Sequence, residues 1–430
     1  VMTAGGLAKR ELLRSLYPNV QPRFRLAKFQ QEHPLTDKQD KWLRQNHLYR
    51  GGISFVNEAY RGKLLTASQM GIPMYRYDVN SEYPYSMASI RDLIGTPVKK
   101  TIEQYLAMSD AEKEKYECAY ILDSVMGKPK KNMLPIWYDP FKKKYVKDVE
   151  EHETHLMFKR EFDEMLNWYD LDYSITNVLL WKRGGYVYRP FVEKYYEIKA
   201  QSKRDGNAVM QAVAKLLLNS SYGKLSERAE RVTGHYELNE ETGAIHFVCD
   251  DIEQSKTTMN VAIGALVTAF ARTYILSHIR EICKGSPKKY FVYIDTDSVH
   301  AFAEYDKADP YTLGAFKLEA KCEAVKYLLP KTYFDLERIG ETINLKELEI
   351  HSKGVSIGSV KARLMKEDKL TLDKLSQIFD YGQKFGMLCA MNVRGGKVLL
   401  PVEKYLAKTE LKPEAVYINN VGGLNYLAER

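Results

Sequence analysis

In the stretch Tyr290-Phe291-Val292-Tyr293-Ile294-Asp295-Thr296-Asp297-Ser298-Val299-His300, two carboxylates and two hydroxyls interrupt residues that otherwise belong in a β-strand. Side chains alternate across a strand, so Asp295 and Asp297 project to one side unless a turn separates them. Two carboxylates held so close repel each other, and a divalent cation or a shared proton is the usual remedy. The same residues can instead close an acidic hairpin turn, with Asp-Thr-Asp-Ser satisfying its own backbone. The stretch by itself leaves both readings open.

The rest of the chain bears on that choice. Another acid, Asp78, ends the strand-like run Met74-Tyr75-Arg76-Tyr77-Asp78-Val79-Asn80, after which Ser81-Glu82-Tyr83-Pro84 turns the chain into a helix. Between the two acidic segments, residues 189–224 read as helical, and Lys215, Asn219 and Tyr222 fall at i, i+4 and i+7 on one stripe. The stripe suits a nucleotide, with the ammonium on phosphates and the ring against base or sugar. A merely solvated helix face has little use for tyrosine and asparagine. Gly223 is expected at the helix C-terminus. A strand acid, a cationic helix stripe and a double-acid turn, in that order, describe a two-metal site for phosphoryl transfer.

The remaining segments are less specific. Residues 1–48 are basic and helix-leaning, and Tyr49-Arg50-Gly51-Gly52 is either a plain turn into the strand Ile53–Val56 or a close backbone approach to phosphate. Residues 97–190 read as a mixed insertion with a lysine-rich hairpin tip, Phe141-Lys142-Lys143-Lys144-Tyr145, and a helix from about Glu153 to Tyr169. The histidines of His152-Glu153-Thr154-His155 are spaced too closely for the HExxH zinc motif, and a solvated helix face is expected there. A hairpin turned at residues 239–243, a small-residue helix from Val261 to Ile279, an alternating segment from Thr342 to Ile350 and a helix from Leu372 to Phe385 complete the reading. Arg394-Gly395-Gly396-Lys397 lacks Walker spacing and reads as a turn.

At 430 residues the chain exceeds one hydrophobic core, so two to four subdomains are expected. A net charge of +8 and 31 tyrosines suit a polyanionic partner that stacks on rings. Five scattered cysteines without a CxxC pair fit a reducing compartment and argue against structural zinc. The apolar run from Val261 to Ala271 is too short to span a bilayer and no signal-peptide pattern is present, so an intracellular protein without a membrane segment is expected.

Five segments together resemble the family B DNA polymerases. Asp78-Val79-Asn80-Ser81-Glu82-Tyr83-Pro84 is similar to motif A (DxxSLYP), Lys215 through Gly223 to motif B (KxxxNSxYG), and Tyr293 through Ser298 to motif C (YxDTDS). Lys331-Thr332-Tyr333 resembles KxY, and Tyr49 through Gly52 resembles YxGG. Two insertions at the expected places point to the protein-primed, phi29-type branch of phages and linear plasmids. The resemblance implies an α+β right-hand fold: residues 1–72 leading into the palm, 73–100 palm, 101–188 a first insertion, 189–224 fingers, 225–258 a second insertion, 259–333 palm, 334–405 thumb and 406–430 a tail.

By the same resemblance, Asp78, Asp295 and Asp297 are the catalytic acids, and Asp78, Val79 and Asp297 hold two Mg²⁺ ions, for which Mn²⁺ substitutes. Lys203, Lys215, Asn219, Tyr222, Tyr83 and Val79 contact the incoming dNTP, with Tyr83 excluding a 2′-OH. Tyr49, Arg50, Gly51, Gly52, Ser81, Gly223, Lys331 and Tyr333 contact template or primer. The implied partners are primer-template DNA, dNTPs and a terminal protein met by the first insertion. The implied setting is a monomer in the host cytoplasm that replicates a viral or plasmid genome. The sequence departs from the pattern at Glu82 and Ser221, where leucine is common, and at Ile294, where a small residue is. No Asp-x-Glu precedes Tyr49, so an exonuclease is expected either upstream in a longer parent, as the initial Val1 hints, or not at all.

Two other functions stay in view. A polymerase acting on RNA is distinguished by equal use of rNTPs and dNTPs, against which Tyr83 speaks. A catalytically inactive, replication-associated DNA-binding protein is distinguished by failure to incorporate any nucleotide, against which three retained acids speak.

Overall fold

The acid-bearing stretch is an internal hairpin of an antiparallel sheet in the order Ser54–Val56, Phe291–Asp295, Ser298–Ala301, Met74–Val79, Phe316–Cys322. The computed structural model describes residues 3–228, 230–238, 245–254, 258–393 and 396–408. Phe291, Val292, Tyr293 and Ile294 are all buried, as a continuous apolar run should be when both faces of its sheet are covered. On one face Phe291, Ile294 and Val299 pack against Ile275, Ile279 and Ile282 of the helix Val261–Ile282. On the other, Val292 and Tyr293 meet Val325, Tyr327 and Tyr333 of a second sheet, ordered Leu348–Ser352, Thr332–Leu336, Ala324–Leu329, Leu64–Thr66.

The helix Val261–Ile282 runs further than the short apolar run read from the sequence. Its 22 residues are apolar and long enough to cross a membrane by length and composition. Inside this fold 72% of its most apolar window is buried, and Arg272 at its middle is paired, so it is a core helix here.

Residues 189–225 form a two-helix arm. Arg189–Arg204 and Ala208–Leu225 are joined by Asp205-Gly206-Asn207, where Gly206 adopts φ 68° and Asn207 caps the second helix by accepting from the Met210 N–H. The second helix continues to Leu225 and is capped at Ser226, so Gly223 lies within its last turn rather than at its C-terminus.

The segment read as a first insertion, residues 101–188, shares a sheet with Leu93–Thr101, a strand that lies almost wholly before it; the order is Leu93–Thr101, Tyr169–Arg183, Tyr116–Pro129, Val149–Glu151, with His155–Phe158 also paired to Tyr116–Pro129. The helix expected from Glu153 begins only at Lys159. His155-Leu156-Met157-Phe158 is wholly buried and pairs with Ala119–Leu122, so the ladder and burial override the local helical pattern. His155 therefore sits in the core rather than on a solvated helix face, and burial beside Arg50 pushes its imidazole down to about 3.

The hairpin of Glu230–Leu238 and Ile245–Gln254 is present, and its expected turn at residues 239–243 lies outside the described residues. It joins a second hairpin, Lys384–Val393 with Gly396–Tyr405, through the parallel pair Tyr236 and Val393. Residues 394 and 395 of the glycine turn are likewise outside the described residues. The helix expected over Leu372–Phe385 ends at Ile378, because Phe379 plugs the distal core and Gly382, at φ 73°, turns the chain into the strand that starts at Lys384. The alternating segment Thr342–Ile350 yields a strand only from Leu348.

Candidate active site

Three segments far apart in sequence meet at one end of the central sheet. Asp78 lies opposite Ser298 on one neighbouring strand and opposite Lys317 on the other. The Val79 N–H donates to the Asp297 carbonyl at 2.8 Å, which ties the two acidic segments together. The strand does not run straight through its acids. Asp297 N–H donates back to the Asp295 carbonyl at 2.8 Å around Thr296, which is held at φ 62°. A β-branched residue is rarely left-handed, so this turn is strained, as turns at functional sites often are. The turn that can intervene between the acids does so, and it gives them different surroundings.

Asp295 is ion-paired within the protein. Lys331 Nζ donates to both of its carboxylate oxygens at 2.8 Å, and Lys331 itself stands at φ 63°. Asp297 is raised to about 7, first by burial and then by the negative charge of Asp78. The Asp78 carboxyl is also raised by burial, although Lys317 Nζ sits 3.0 Å from its Oδ1 and opposes that shift. Glu82 is buried, and neither of its carboxylate oxygens has a hydrogen-bond partner. Burial raises it well above the ordinary range, and the charges of Asp297 and Asp78 push it further.

This end of the sheet is thus a cluster of hard oxygen donors with more negative charge than the nearby cations balance. That is the chemistry a divalent cation answers. Among the described residues no group of three or more His, Cys, Asp or Glu forms a closed metal cage. The arrangement fits Mg²⁺, which is commonly held by one or two carboxylates together with substrate phosphates.

The two-helix arm stands over the acids. Tyr222, on its second helix, stacks on Tyr83 with ring centroids 4.1 Å apart, which joins the two expected nucleotide contacts in one wall. Lys203, Lys215 and Asn219 are exposed on the same arm. The sequence reading missed Lys199 and Lys317. Lys199 Nζ donates to Ser81 Oγ at 2.8 Å, and Ser81 stands at the N-cap position of the helix Glu82–Ser89, at φ 57°, without a side-chain capping bond. The spacing of Lys199 from Lys203, one helical turn, was a visible signal. Lys317 bridges Asp78 and Glu319 at 3.0 Å each, and only the sheet register reveals it.

The loop at Tyr49–Gly52 is bound to the acidic turn at Thr296. Thr296 N–H donates to the Ile53 carbonyl at 2.7 Å. A Cβ on Gly52 would lie 2.6 Å from Thr296 Oγ1, whereas one on Gly51 would meet nothing within 4 Å. Beneath the loop, Arg272 Nη1 donates to the carbonyls of Arg50 and Gly51 at 2.8 and 2.9 Å, and its other nitrogens hold Glu161 of the first insertion at 2.8 Å. Arg50 Nε donates to the His47 carbonyl, and its Nη2 is buried without a partner, so the guanidinium turns inward instead of outward toward a ligand. Tyr333 is similarly enclosed. It is 5% exposed and packed against Tyr293, Tyr327 and His351, which leaves Lys331 as the accessible member of that pair.

Comparison with known proteins agrees with this geometry. The family model described as "DNA polymerase type B, organellar and viral" matches residues 1–344. The DNA polymerases of Bacillus phages PZA and phi29 are each 28% identical over 327 residues, which cover 72% of this chain and 51% of theirs. A probable DNA polymerase of Neurospora intermedia is 25% identical over 332 residues, 70% of this chain and 33% of its own. The chain therefore spans about half the length of the phage relatives it matches. The solved structure of phi29 DNA polymerase with primer-template DNA and incoming nucleotide superposes with a TM-score of 0.73 at 23% identity, covering 94% of this chain and 68% of that one. The same polymerase with single-stranded DNA gives 0.72 at 23% identity, over 94% of this chain and 67% of that one.

Proposed function

The chain belongs to the organellar and viral type B DNA polymerases, and from that premise we propose that it copies a DNA template by adding dNTPs to a 3′-hydroxyl. Its fold is that of a right-hand polymerase. In that frame the central sheet is the palm, residues 189–224 are the fingers and residues 334–405 the thumb. The observation that carries the reading is the meeting of Asp78 and Asp297, from segments far apart in the sequence, under an arm that bears Lys203 and Lys215.

Two Mg²⁺ ions, or Mn²⁺ in their place, would be held by Asp78, Asp297 and the Val79 backbone, and would supply charge stabilisation to the attacking and leaving oxygens. The residues of the chain do the rest. Lys203 and Lys215 balance the triphosphate, and Asn219 and Tyr222 orient the nucleotide. Tyr83, braced by its stack on Tyr222, crowds the sugar where a 2′-OH would sit. Asp295, clamped by Lys331, stiffens the turn that carries Asp297. The loop Tyr49–Gly52, Ser81, Gly223 and Lys331 line the path of template and primer.

The protein-primed mode extends this reading. The first insertion, residues 101–188, would meet a terminal protein whose hydroxyl serves as the first primer. The second insertion, residues 225–258, would close over DNA with the thumb. The shared sheet through Tyr236 and Val393 supports that closure. The polymerase would act as a monomer on a viral or linear-plasmid genome inside the host cell.

Primer extension on a DNA template with Mg²⁺ tests the activity. The wild-type chain is expected to extend the primer and Asp297→Asn to fail while still binding DNA; extension surviving that change overturns the proposal. Incubation with a terminal protein and a labelled dNTP should give a covalent protein-nucleotide adduct, and its absence reduces the claim to ordinary primer extension.

A further inference from the structure

We infer that Glu82 is an additional acid of the divalent-cation site, a charge buried beside Asp78 and Asp297 that strengthens the hold of the site on its ions from inside the fold. The inference rests on the polymerase reading and deepens it at a position where the family pattern has leucine.

Glu82 opens the helix Glu82–Ser89, directly after the turn that follows Asp78 and Val79. It is 2% exposed, and neither of its carboxylate oxygens has a hydrogen-bond partner. The charges that act on it most are the carboxylates of Asp297 and Asp78, ahead of the cation Arg272. The cations of this region are already committed elsewhere. Arg272 donates to both oxygens of Glu161 and to the carbonyls of Arg50 and Gly51. Lys317 is paired with Asp78 and Glu319, and Lys331 with Asp295. Among the described residues, none supplies Glu82 with a donor.

An acid so placed is unfavourable in the free protein. Burial disfavours its charge, the missing donors leave both oxygens unsatisfied, and two like charges stand nearby. Leucine would fill the start of the helix without any of these costs. What offsets them is positive charge brought to the acids, and a divalent ion brings the most in the smallest volume while preferring hard oxygen surroundings. The attraction between a buried carboxylate and an ion scales with the charge of the ion and is little screened by salt inside the fold. Glu82 therefore contributes most toward a divalent ion and nothing toward a neutral ligand. The competing role is a neutral, packed acid, for which shape and polarity matter and charge does not. Glutamine separates the two, because it keeps the shape and polarity of glutamate and removes the charge.

Electron paramagnetic resonance of free Mn²⁺ reports cation binding without turnover. The full chain is titrated with Mn²⁺ in the presence of a dideoxy-terminated primer-template and dNTP, and Asp297→Asn marks the ions that belong to the site. Glu82→Gln and Glu82→Leu are both expected to weaken Asp297-dependent Mn²⁺ binding by roughly 10- to 100-fold, the loss of one full charge at an effective dielectric of about 20. With an extendable primer, the Mg²⁺ concentration for half-maximal incorporation should rise by a similar factor, while KM for dNTP at saturating Mg²⁺ stays near wild type. A neutral, packed acid predicts instead that Glu82→Gln binds Mn²⁺ as wild type does. That result overturns the inference, whether Glu82→Leu is impaired, unaffected or unable to fold. If the wild-type chain extends primers while Glu82→Gln keeps full Mn²⁺ affinity, the inference alone fails. If the wild-type chain shows no Asp297-dependent Mn²⁺ binding and extends no primer, the polymerase reading fails with it.

Discussion

An alanine at Gly52 would place its Cβ 2.6 Å from Thr296 Oγ1, 2.8 Å from Cγ2 and 3.0 Å from Cβ. Non-bonded carbons are comfortable at about 3.5–4.0 Å, so the loop and the turn must separate by about 1 Å. Thr296 has little room to yield. It is β-branched and stiff at χ1, its backbone sits at φ 62°, and its N–H is fixed to the Ile53 carbonyl at 2.7 Å. The displacement therefore passes to the neighbouring Asp297. Overpacking of this kind costs about 1–3 kcal/mol of stability. A shift of about 1 Å in a reacting group costs on the order of 10²-fold in rate. Gly52→Ala is thus expected to lower the denaturation midpoint moderately and single-nucleotide incorporation severely. Thr296→Ala removes Oγ1 and Cγ2, so the double variant should recover much of both losses. Gly51→Ala, whose Cβ meets nothing within 4 Å, should leave stability within about 0.5 kcal/mol of wild type. Equal damage from Gly51→Ala, or no recovery in the double variant, would refute this account of how the loop holds the catalytic turn.

Asp295 and Asp297 should differ in consequence. Asp297→Asn is expected to reduce single-turnover incorporation on the order of 10³-fold or more. Asp295→Asn should cost about 10- to 100-fold, because Lys331 already pairs with that carboxylate. Glu161→Ala leaves Arg272 buried without its partner and should destabilise the fold by about 3–5 kcal/mol, read as a large drop in the denaturation midpoint. His33 supplies a pH test remote from the acids. Burial acts to lower its imidazole, but the hydrogen bond and charge of Asp92 at 2.7 Å, with the Phe29 carbonyl, raise it above the ordinary range. Its contribution should be full below the unfolded value of about 6.5 and lost as pH rises through the raised folded value. Thermal melts across that window should show the loss in wild type and a flatter profile in His33→Gln.

The motif acids were legible in sequence because misplaced charge in a strand is locally costly, and ordered costs of that kind are readable without a structure. What Asp295 and Asp297 each do was not, since their difference comes from Lys331 and from a turn at Thr296 that only the sheet register fixes. The strand at His155–Phe158 and the first two residues of the strand from Lys384 were read as helix because they also fit a helical period, and long-range pairing decided between the two. Glu82 was visible as a departure, while its burial beneath the acids with no hydrogen-bond partner was not. Lys199 showed its spacing from Lys203 but not its partner Ser81, more than a hundred residues earlier in the chain.

The central claim is that Asp78 and Asp297 jointly hold the divalent ions that a nucleotide needs. Anomalous scattering from Mn²⁺ in crystals of the chain with a dideoxy-terminated primer-template and a dNTP tests it most directly. The account predicts manganese peaks within ligating distance, about 2.0–2.2 Å, of carboxylate oxygens of both Asp78 and Asp297 and of the triphosphate, with Asp295 still paired to Lys331. Manganese bound at Asp295 in place of Lys331, or absent from Asp78 and Asp297 while the nucleotide is in place, would contradict it.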